Sequence, residues 1–327
     1  MLLFGRKKDS GGKPRRILYA TDLHGAENTY LKFLNAAKIY KAQICIVGGD
    51  ITGKAIVPVV EQPDGSYYAY VMGQKKVAGS EEELLSLERE IRFNGMYPYR
   101  TGLSEMEELS NNNVLLDQKF EELMRVQIKR WADLARERLQ PAGISCYITG
   151  GNDDPLLIEE ELQKSDYVVA AEGQVLNIDE NFVMISTGYG NPTPWNCPRD
   201  IPEDDLYAKI EAMAEQVGDM ESCIFNLHVP PVDSDLDLCP KLDTSVSPPR
   251  PLMGVTISAG SNAVRRAIEK YQPLLALHGH IHESRGVVKI GKTVCINPGS
   301  EYSEGILRAA VIDVSKGKVV ASQLIAV

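Results

Sequence analysis

The sequence predicts an α/β fold in which two packed β-sheets are flanked by helices. Three observations predict it. Short runs rich in Val, Ile, Tyr and Cys recur along the 327 residues, helical patterns separate several of them, and the last runs follow one another without helices.

In chain order, RILYATD and AQICIVGGD read as strands with the helical pattern AENTYLKFLNAAKIY between them. GISCYITGGND, DYVVAAEG and NFVMISTGYG are further strands, then DDLYAKIEAMAEQVG is a helix, SCIFNLH a strand, SNAVRRAIEKYQ a helix and PLLALHGH a strand. GVVKIG, TVCINPG, RAAVIDV and KVVASQLIAV crowd together from about 286 to 327, which predicts hairpins in a second, partly antiparallel sheet.

One segment breaks this alternation. About ninety residues, from about 54 to 142, open with IVPVVEQPDGSYYAYVMG, a hairpin turning at Pro63, Asp64 and Gly65. EEELLSLEREIRF and NNVLLDQKFEELMRVQIKRWADLARERLQ follow as helices, the second with Leu116, Phe120, Leu123, Val126 and Trp131 at helical spacing and an end at Pro141. The reading is a cap inserted into one domain spanning 14–327, with the Trp131 helix as the cap's own core. Residues 1–13 read as a flexible tail. There is no internal repeat.

Composition bounds the function. The start, MLLFGRKKDSGGKPRR, has too few apolar residues for a signal segment, and no run of about 18 apolar residues occurs, so a cytoplasmic protein without a membrane span is expected. Six scattered cysteines without CxxC spacing fit reduced thiols. A net charge of −10 offers no broad basic field, so long nucleic acids are not expected as partners and any phosphate must be bound locally.

The chemistry lies where strands end. Asp22 and His24 follow one strand, Asp50 the next, then Asn152, His228, and the pair His280 and His282. Loops beyond the carboxyl ends of strands form the site in open α/β sheets, and residues two apart in extended chain project the same way, so these side chains can meet. Carboxylate, imidazole and amide oxygen suit divalent transition metals, Mn above all, with Fe, Zn, Co or Ni as alternatives. Seven ligands exceed one tetrahedral site. They can hold two cations with a shared water that becomes hydroxide near neutral pH and attacks phosphorus in line.

The blocks DLH (22–24), GD (49–50), GN (151–152), a strand-ending His228 and GHIH (279–282) resemble, in order, the motifs of the calcineurin-like metallophosphoesterases. The resemblance runs from about residue 16 to 300 and leaves the insertion uncovered. It implies a four-layer αββα sandwich and a dinuclear site in which Asp22, His24 and His282 hold one metal, Asn152, His228 and His280 the other, and Asp50 bridges. HVPPVDSDLD and the stretch from GHIHESRG to INPGS are similar to the phosphodiesterase-like bacterial and archaeal branch.

The departures carry information too. Where many members of that family have a histidine after GN, this chain has Asp153, followed by Asp154; after GD only Lys54 stands near the spot where the protein phosphatase branch has an acidic residue and then arginine. Two dications less Asp22, Asp50 and a hydroxide leave about one positive charge, which balances a phosphodiester, while ionised Asp153 and Asp154 would repel a monoester dianion. The expected function is therefore phosphodiester hydrolysis without a covalent intermediate, with Asn152 and His228 in the catalytic set, Asp153 as a proton donor and Lys54 and Asp154 facing substrate. The alternatives are a phosphomonoesterase or nucleotide pyrophosphatase, and a scaffold that has lost the chemistry. The expected partner is a small phosphate ester, a nucleotide or cyclic nucleotide among the options, and a homodimer stays open.

Plainer readings stand beside these. Asp153 can serve as a helix cap, and Asp154, before Pro155, is better placed for that role. Lys54, Arg199 and Arg285 are phosphate clamps or simple surface charges. His278 falls within its strand and reads as a core residue. GYGNPTPWNCP and VPPVDSDLDLCPKLDTSVSPPRP read as irregular segments, the second walling the pocket. The YYAY hairpin stacks a base or sugar, contacts a second subunit, or simply packs.

Overall fold

The computed structural model describes residues 14–246 and 249–327; the tail expected over 1–13 lies outside them. In order the chain forms β1 (Arg15–Ala20), α1 (Glu27–Ile39), β2 (Ile44–Gly48), β3 (Ile56–Glu61), β4 (Tyr67–Val71), β5 (Gln74–Ala78), α2 (Glu81–Phe93), β6 (Tyr97–Thr101), α3 (Leu103–Asn111) and α4 (Asn113–Leu139). Then come β7 (Ser145–Thr149), α5 (Leu157–Leu162), β8 (Val169–Ala170), β9 (Val175–Asn177), β10 (Val183–Thr187), α6 (Glu203–Ala214), β11 (Cys223–Leu227), β12 (Leu238–Asp243) and β13 (Arg250–Ser258). The last elements are α7 (Asn262–Tyr271), β14 (Leu275–Leu277), β15 (Gly286–Ile290), β16 (Thr293–Asn297), β17 (Arg308–Ser315) and β18 (Lys318–Ala326).

Two six-stranded mixed sheets form the centre, ordered β18-β17-β1-β2-β7-β8 and β15-β16-β14-β11-β10-β9. Side chains alternate along each strand, so each sheet feeds two cores. From β1 and β2, Ile17, Tyr19, Ile44 and Ile46 point between the sheets and meet Met184, Ile224, Leu275 and Ile296 of the second sheet. Leu18, Ala20, Cys45 and Val47 point outward against α1, α4 and α5. On the far side Ile185, Phe225 and Cys295 meet Leu206, Ile210, Val264 and Ile268 of α6 and α7. Helix, sheet, sheet and helix thus stack as an αββα sandwich.

The late strands do not all join the second sheet as the sequence suggested. β15 and β16 do, but β17 crosses back to pair antiparallel with β1, from Arg15↔Val314 to Tyr19↔Ala310, and β18 closes that edge. The run RAAVIDV is apolar on successive residues and needs cover on both faces, which the open side of β1 supplies and a terminal hairpin would not.

The segment from 56 to 101 builds a separate sheet, β5-β4-β3-β6, packed on α2 through Val57, Val59, Ala69, Val71, Leu84, Leu87 and Ile91. Its first turn closes with Gln62 N–H donating to the Ser66 carbonyl at 2.8 Å. β6 gave no sequence signal because Pro98 interrupts it; as an edge strand it tolerates proline. α4 does not core this unit, contrary to expectation. Its face bearing Met124, Ile128, Trp131, Ala135 and Leu139 packs on the outer side of the first sheet, where Trp131 stacks on Tyr30 with ring centroids 4.1 Å apart. Helical spacing reports that a face is buried but not which neighbour buries it.

The proline-rich segment after His228 is likewise not irregular throughout, because β12 and β13 pair as a two-stranded ribbon. No helix among the described residues is long and apolar enough to cross a membrane.

Candidate metal centre

The parallel strands β1, β2 and β7 of one sheet and β10, β11 and β14 of the other point their carboxyl ends the same way. The loops beyond them are joined by backbone hydrogen bonds: Asp22 N–H donates to Gly49 O, His24 N–H to Asp50 O and Gly25 N–H to Ile51 O, each at 2.9 Å. From the second sheet, Gly279 N–H donates to His228 O at 2.8 Å. Across the gap His280 N–H reaches the Asp22 carboxylate at 3.1 Å.

These loops are conformationally costly. Asp22, His24, Asp50 and His280 have φ of 53°, 41°, 49° and 64°, left-handed values that non-glycine residues seldom adopt. Gly49 has φ 126°, and a Cβ there would collide with His228 Nδ1; at Gly151 a Cβ would collide with Asp50 Oδ1. Only glycine lets the loop after β2 come this close to the loops after β7 and β11.

The side chains converge accordingly. Asp22, His24 and His282 each offer an atom within 4.8 Å of the others, as do Asp50, His228 and His280. His24, Asp50 and Asp153 form a third such group, so Asp50 belongs to two clusters. Asn152 Oδ1 lies 2.9 Å from His280 Nδ1. The structure therefore brings together all seven side chains named from the strand ends.

Burial and charge set their protonation. Burial pushes His24 down to about 3 and His280 down to about 4, which keeps both rings neutral with lone pairs free. Asp22 is fully buried, which opposes ionisation, yet the hydrogen bond and charge of His282 bring its carboxyl down to about 2. Asp50 is held well below the usual carboxylate range, the charge of His228 overcoming burial. Burial also opposes a charge on His228, but Asp50 raises it to about 9. The acidic cluster draws in positive charge.

Two observations test whether divalent ions fit. His24 Nε2 and His282 Nε2 stand 3.2 Å apart, and His228 Nε2 stands 3.4 Å from Asp50 Oδ1. Neighbouring ligands at metal–nitrogen distances of 2.0–2.1 Å lie about 3.0–3.4 Å from one another. Moreover His228 Nδ1–H donates to the Gly48 carbonyl at 2.9 Å, fixing the ring's orientation, while buried Nε2 has no hydrogen-bond partner. An imidazole anchored on one nitrogen and unsatisfied on the other has the form of a metal ligand. The residues fit.

The remaining named residues divide. Asp153 is partly exposed beside Asp50, and its carboxylate is in ion contact with the Lys54 ammonium, so both line the opening. Asp154 does not face substrate and caps no helix: it is fully buried, and its carboxylate accepts from the N–H groups of Ile51, Thr52 and Gly151 and from Thr52 Oγ1, tying two site loops together. Arg199 is neither surface charge nor clamp. Fully buried, it forms a bidentate pair with Glu159 at 2.8 Å and donates to Asp154 O and Pro155 O. Arg285 is exposed and makes no ion pair among the described residues. His278 is a buried residue whose Nδ1 donates to Leu227 O at 2.8 Å.

Three residues near the site were not named as site residues from the sequence. Asp200 Oδ1 accepts from Asn152 Nδ2 at 3.0 Å and so turns the amide oxygen toward His280. Buried Asn297 donates to Gly279 O and Ile281 O, holding the GHIH turn. Tyr302 packs its ring 4.6 Å from His24 and 6.0 Å from His282. A proline-flanked Asp and a Tyr in a loop look ordinary until the chain folds back.

No family model matches the chain. An uncharacterised protein of Methanocaldococcus jannaschii is 31% identical over 131 residues, 38% of this chain and 53% of that protein, so the match spans about half the length of that relative. One solved crystal structure superposes with a TM-score of 0.54 at 17% identity, covering 95% of this chain and 98% of its own, a likeness of fold. The crystal structure of a Thermus thermophilus protein gives a TM-score of 0.48 at 13% identity, covering 90% and 93% of the two chains, and an archaeal phosphodiesterase gives 0.36 at 12%, covering 95% and 99%. Two facing sheets lie between helical layers and the strand-end blocks gather at one rim, the αββα arrangement that the sequence motifs imply.

Proposed function

We propose that this chain is a dinuclear metal-dependent phosphoesterase that hydrolyses small phosphodiesters. One observation carries the reading: Asp50 lies within ligand distance of two separate histidine sets, His228 with His280 on one side and His24 on the other. A carboxylate shared in this way is what two adjacent cations require. Two divalent transition ions, manganese first among them, would supply Lewis acidity and an activated water for displacement at phosphorus.

The chain's own residues do the rest. Asp22 and Asp50 offset half the charge of two dications, leaving a modest positive balance suited to a monoanionic diester. The repulsion of a dianion by Asp153 and Asp154 is weakened, because Lys54 pairs with the first and the second is buried among backbone donors. The diester preference thus rests chiefly on the ligand charges. Lys54 and Asp153, in ion contact with each other, stand at the opening where a leaving group would emerge. The free thiols of all six cysteines support a reducing, cytoplasmic setting.

Metal analysis after manganese loading should find about two ions per chain, and bis-4-nitrophenyl phosphate should be turned over faster than the monoester. Much faster monoester turnover would replace the diester reading with a monoesterase, and no bound metal would leave only a scaffold.

A further inference from the structure

Asp153 has two partners within reach. One of its carboxylate oxygens lies within 4.8 Å of both a His24 ring nitrogen and an Asp50 carboxylate oxygen, and the same carboxylate is in ion contact with the Lys54 ammonium. The main chain that carries it is fixed. Asp153 N–H donates to Asp50 Oδ1 at 3.1 Å, Asp154 N–H to Gly151 O at 3.2 Å and Arg199 N–H to Asn152 O at 3.0 Å, so only the short side chain is left to choose between partners. Lys54 is held from the inserted segment. Its N–H donates to Gly95 O at 3.3 Å, and the N–H of Gly53 before it donates to Tyr97 Oη at 2.8 Å.

The two partnerships differ in strength. Lys54 leaves 45% and Asp153 33% of the side chain in water, and an ion pair this open holds its members weakly. A divalent ion carries twice the charge of an ammonium and accepts a lone pair as well. His24 belongs both to the trio with Asp22 and His282 and to the group with Asp50 and Asp153, so an Asp153 oxygen falls on the side of that trio and not beside His228 and His280. With Asp50 shared, the donors on that side are two imidazoles and three carboxylates. Five protein donors exceed tetrahedral coordination and suit an octahedral, oxygen-preferring ion such as manganese better than zinc.

We propose that Asp153 is a metal ligand, the fifth side chain on the cation bound by Asp22, His24, His282 and Asp50, with Lys54 as the competing counter-charge that gives way when the ion binds. This assignment rests on the two-metal reading. Charge at the opening is preserved: a third carboxylate removes one more positive charge from two dications, and the ammonium it leaves restores one at the rim. The inserted segment thereby gains a role, since it holds the backbone from which Lys54 competes.

Calorimetric titration of the full chain with manganese tests this. Asp153→Ala should weaken one of the two ions about tenfold or more, and Lys54→Met should tighten that same ion a few-fold. A charge acting through space would move both variants in the same directions, so Asp153→Cys decides. Titrated with cadmium under reducing conditions, it should add an ultraviolet thiolate-to-cadmium charge-transfer band, the share of one thiolate, beyond whatever the six native cysteines give in the wild type. If the wild type binds two manganese ions while Asp153→Ala stays within about twofold of it, or if the cadmium spectrum of Asp153→Cys matches the wild type's, the ligand role is overturned and the phosphoesterase reading stands. A wild type that binds no manganese would overturn both.

Discussion

The loop end of the sandwich and the β4–β5 turn of the inserted sheet both hold side-chain-bearing residues in left-handed backbone, Asp22, His24, Asp50 and His280 in one and Met72 in the other, at φ between 41° and 64°. Around the four site residues every neighbour is fixed, by joined loops, by buried carboxylates and by glycines that admit no Cβ. Around Met72, 76% exposed, almost nothing is. Similar torsions therefore mean different things. In the first region strain is retained because ligand atoms must converge; in the second it follows from turn geometry alone.

The sharpest way to break this contrast is Asp50→Asn, which removes the shared charge without altering volume. Turnover should fall about a thousandfold and bound manganese to one ion or fewer per chain. In the wild type, manganese at a thousandfold excess over its Kd should stabilise the fold by about 4 kcal/mol, read as a rise in Tm, and the variant should lose most of that rise. A variant that keeps both ions would show that the convergence is structural.

Gly49→Ala comes next. Its methyl would meet His228 Nδ1 in a backbone conformation with φ 126°, so urea unfolding should show a loss of about 3 kcal/mol or more. A loss under about 1 kcal/mol, the ordinary scale for a single substitution, would mean the loops can separate and are not tightly registered.

How far the sequence reaches depends on whether a role is local. Asp22 with His24, and His280 with His282, are legible because residue type and two-residue spacing carry the chemistry within one loop. Asp200 is not, since its role exists only when its loop folds back 48 residues onto Asn152. Arg199 reads as a surface charge until Glu159, 40 residues earlier, is seen to bury it. The two sheets and their flanking helices follow from alternating patterns, yet the return of β17 to β1 joins strands almost 300 residues apart, where no local pattern reports. Trp131 shows the same limit: its buried face is legible, its neighbour Tyr30 is not.

Asp200→Ala should have an intermediate effect and sharpens the contrast from the supporting side. Removing the acceptor that orients Asn152 should weaken manganese binding or turnover by about 10- to 100-fold, measured by calorimetric titration and initial rates. An effect within twofold would show that Asn152 finds its orientation unaided.

The smallest expected effect lies in the other region. Met72 and Gly73, with φ of 49° and 78°, form a two-residue turn between Val71 and Gln74, the geometry in which Asn-Gly is preferred. A Met side chain has no local hydrogen bond to offset its left-handed backbone, whereas Asn does. Met72→Asn should therefore stabilise the chain by about 0.5–1 kcal/mol, with metal content and turnover unchanged. The same change of torsional comfort is not open to Asp22 or His280, whose side chains are the reason for the strain. If Met72→Asn instead destabilises the chain, or shifts metal content, then the inserted sheet is coupled to the centre more closely than its separate core of Val59, Leu84 and Ile91 implies.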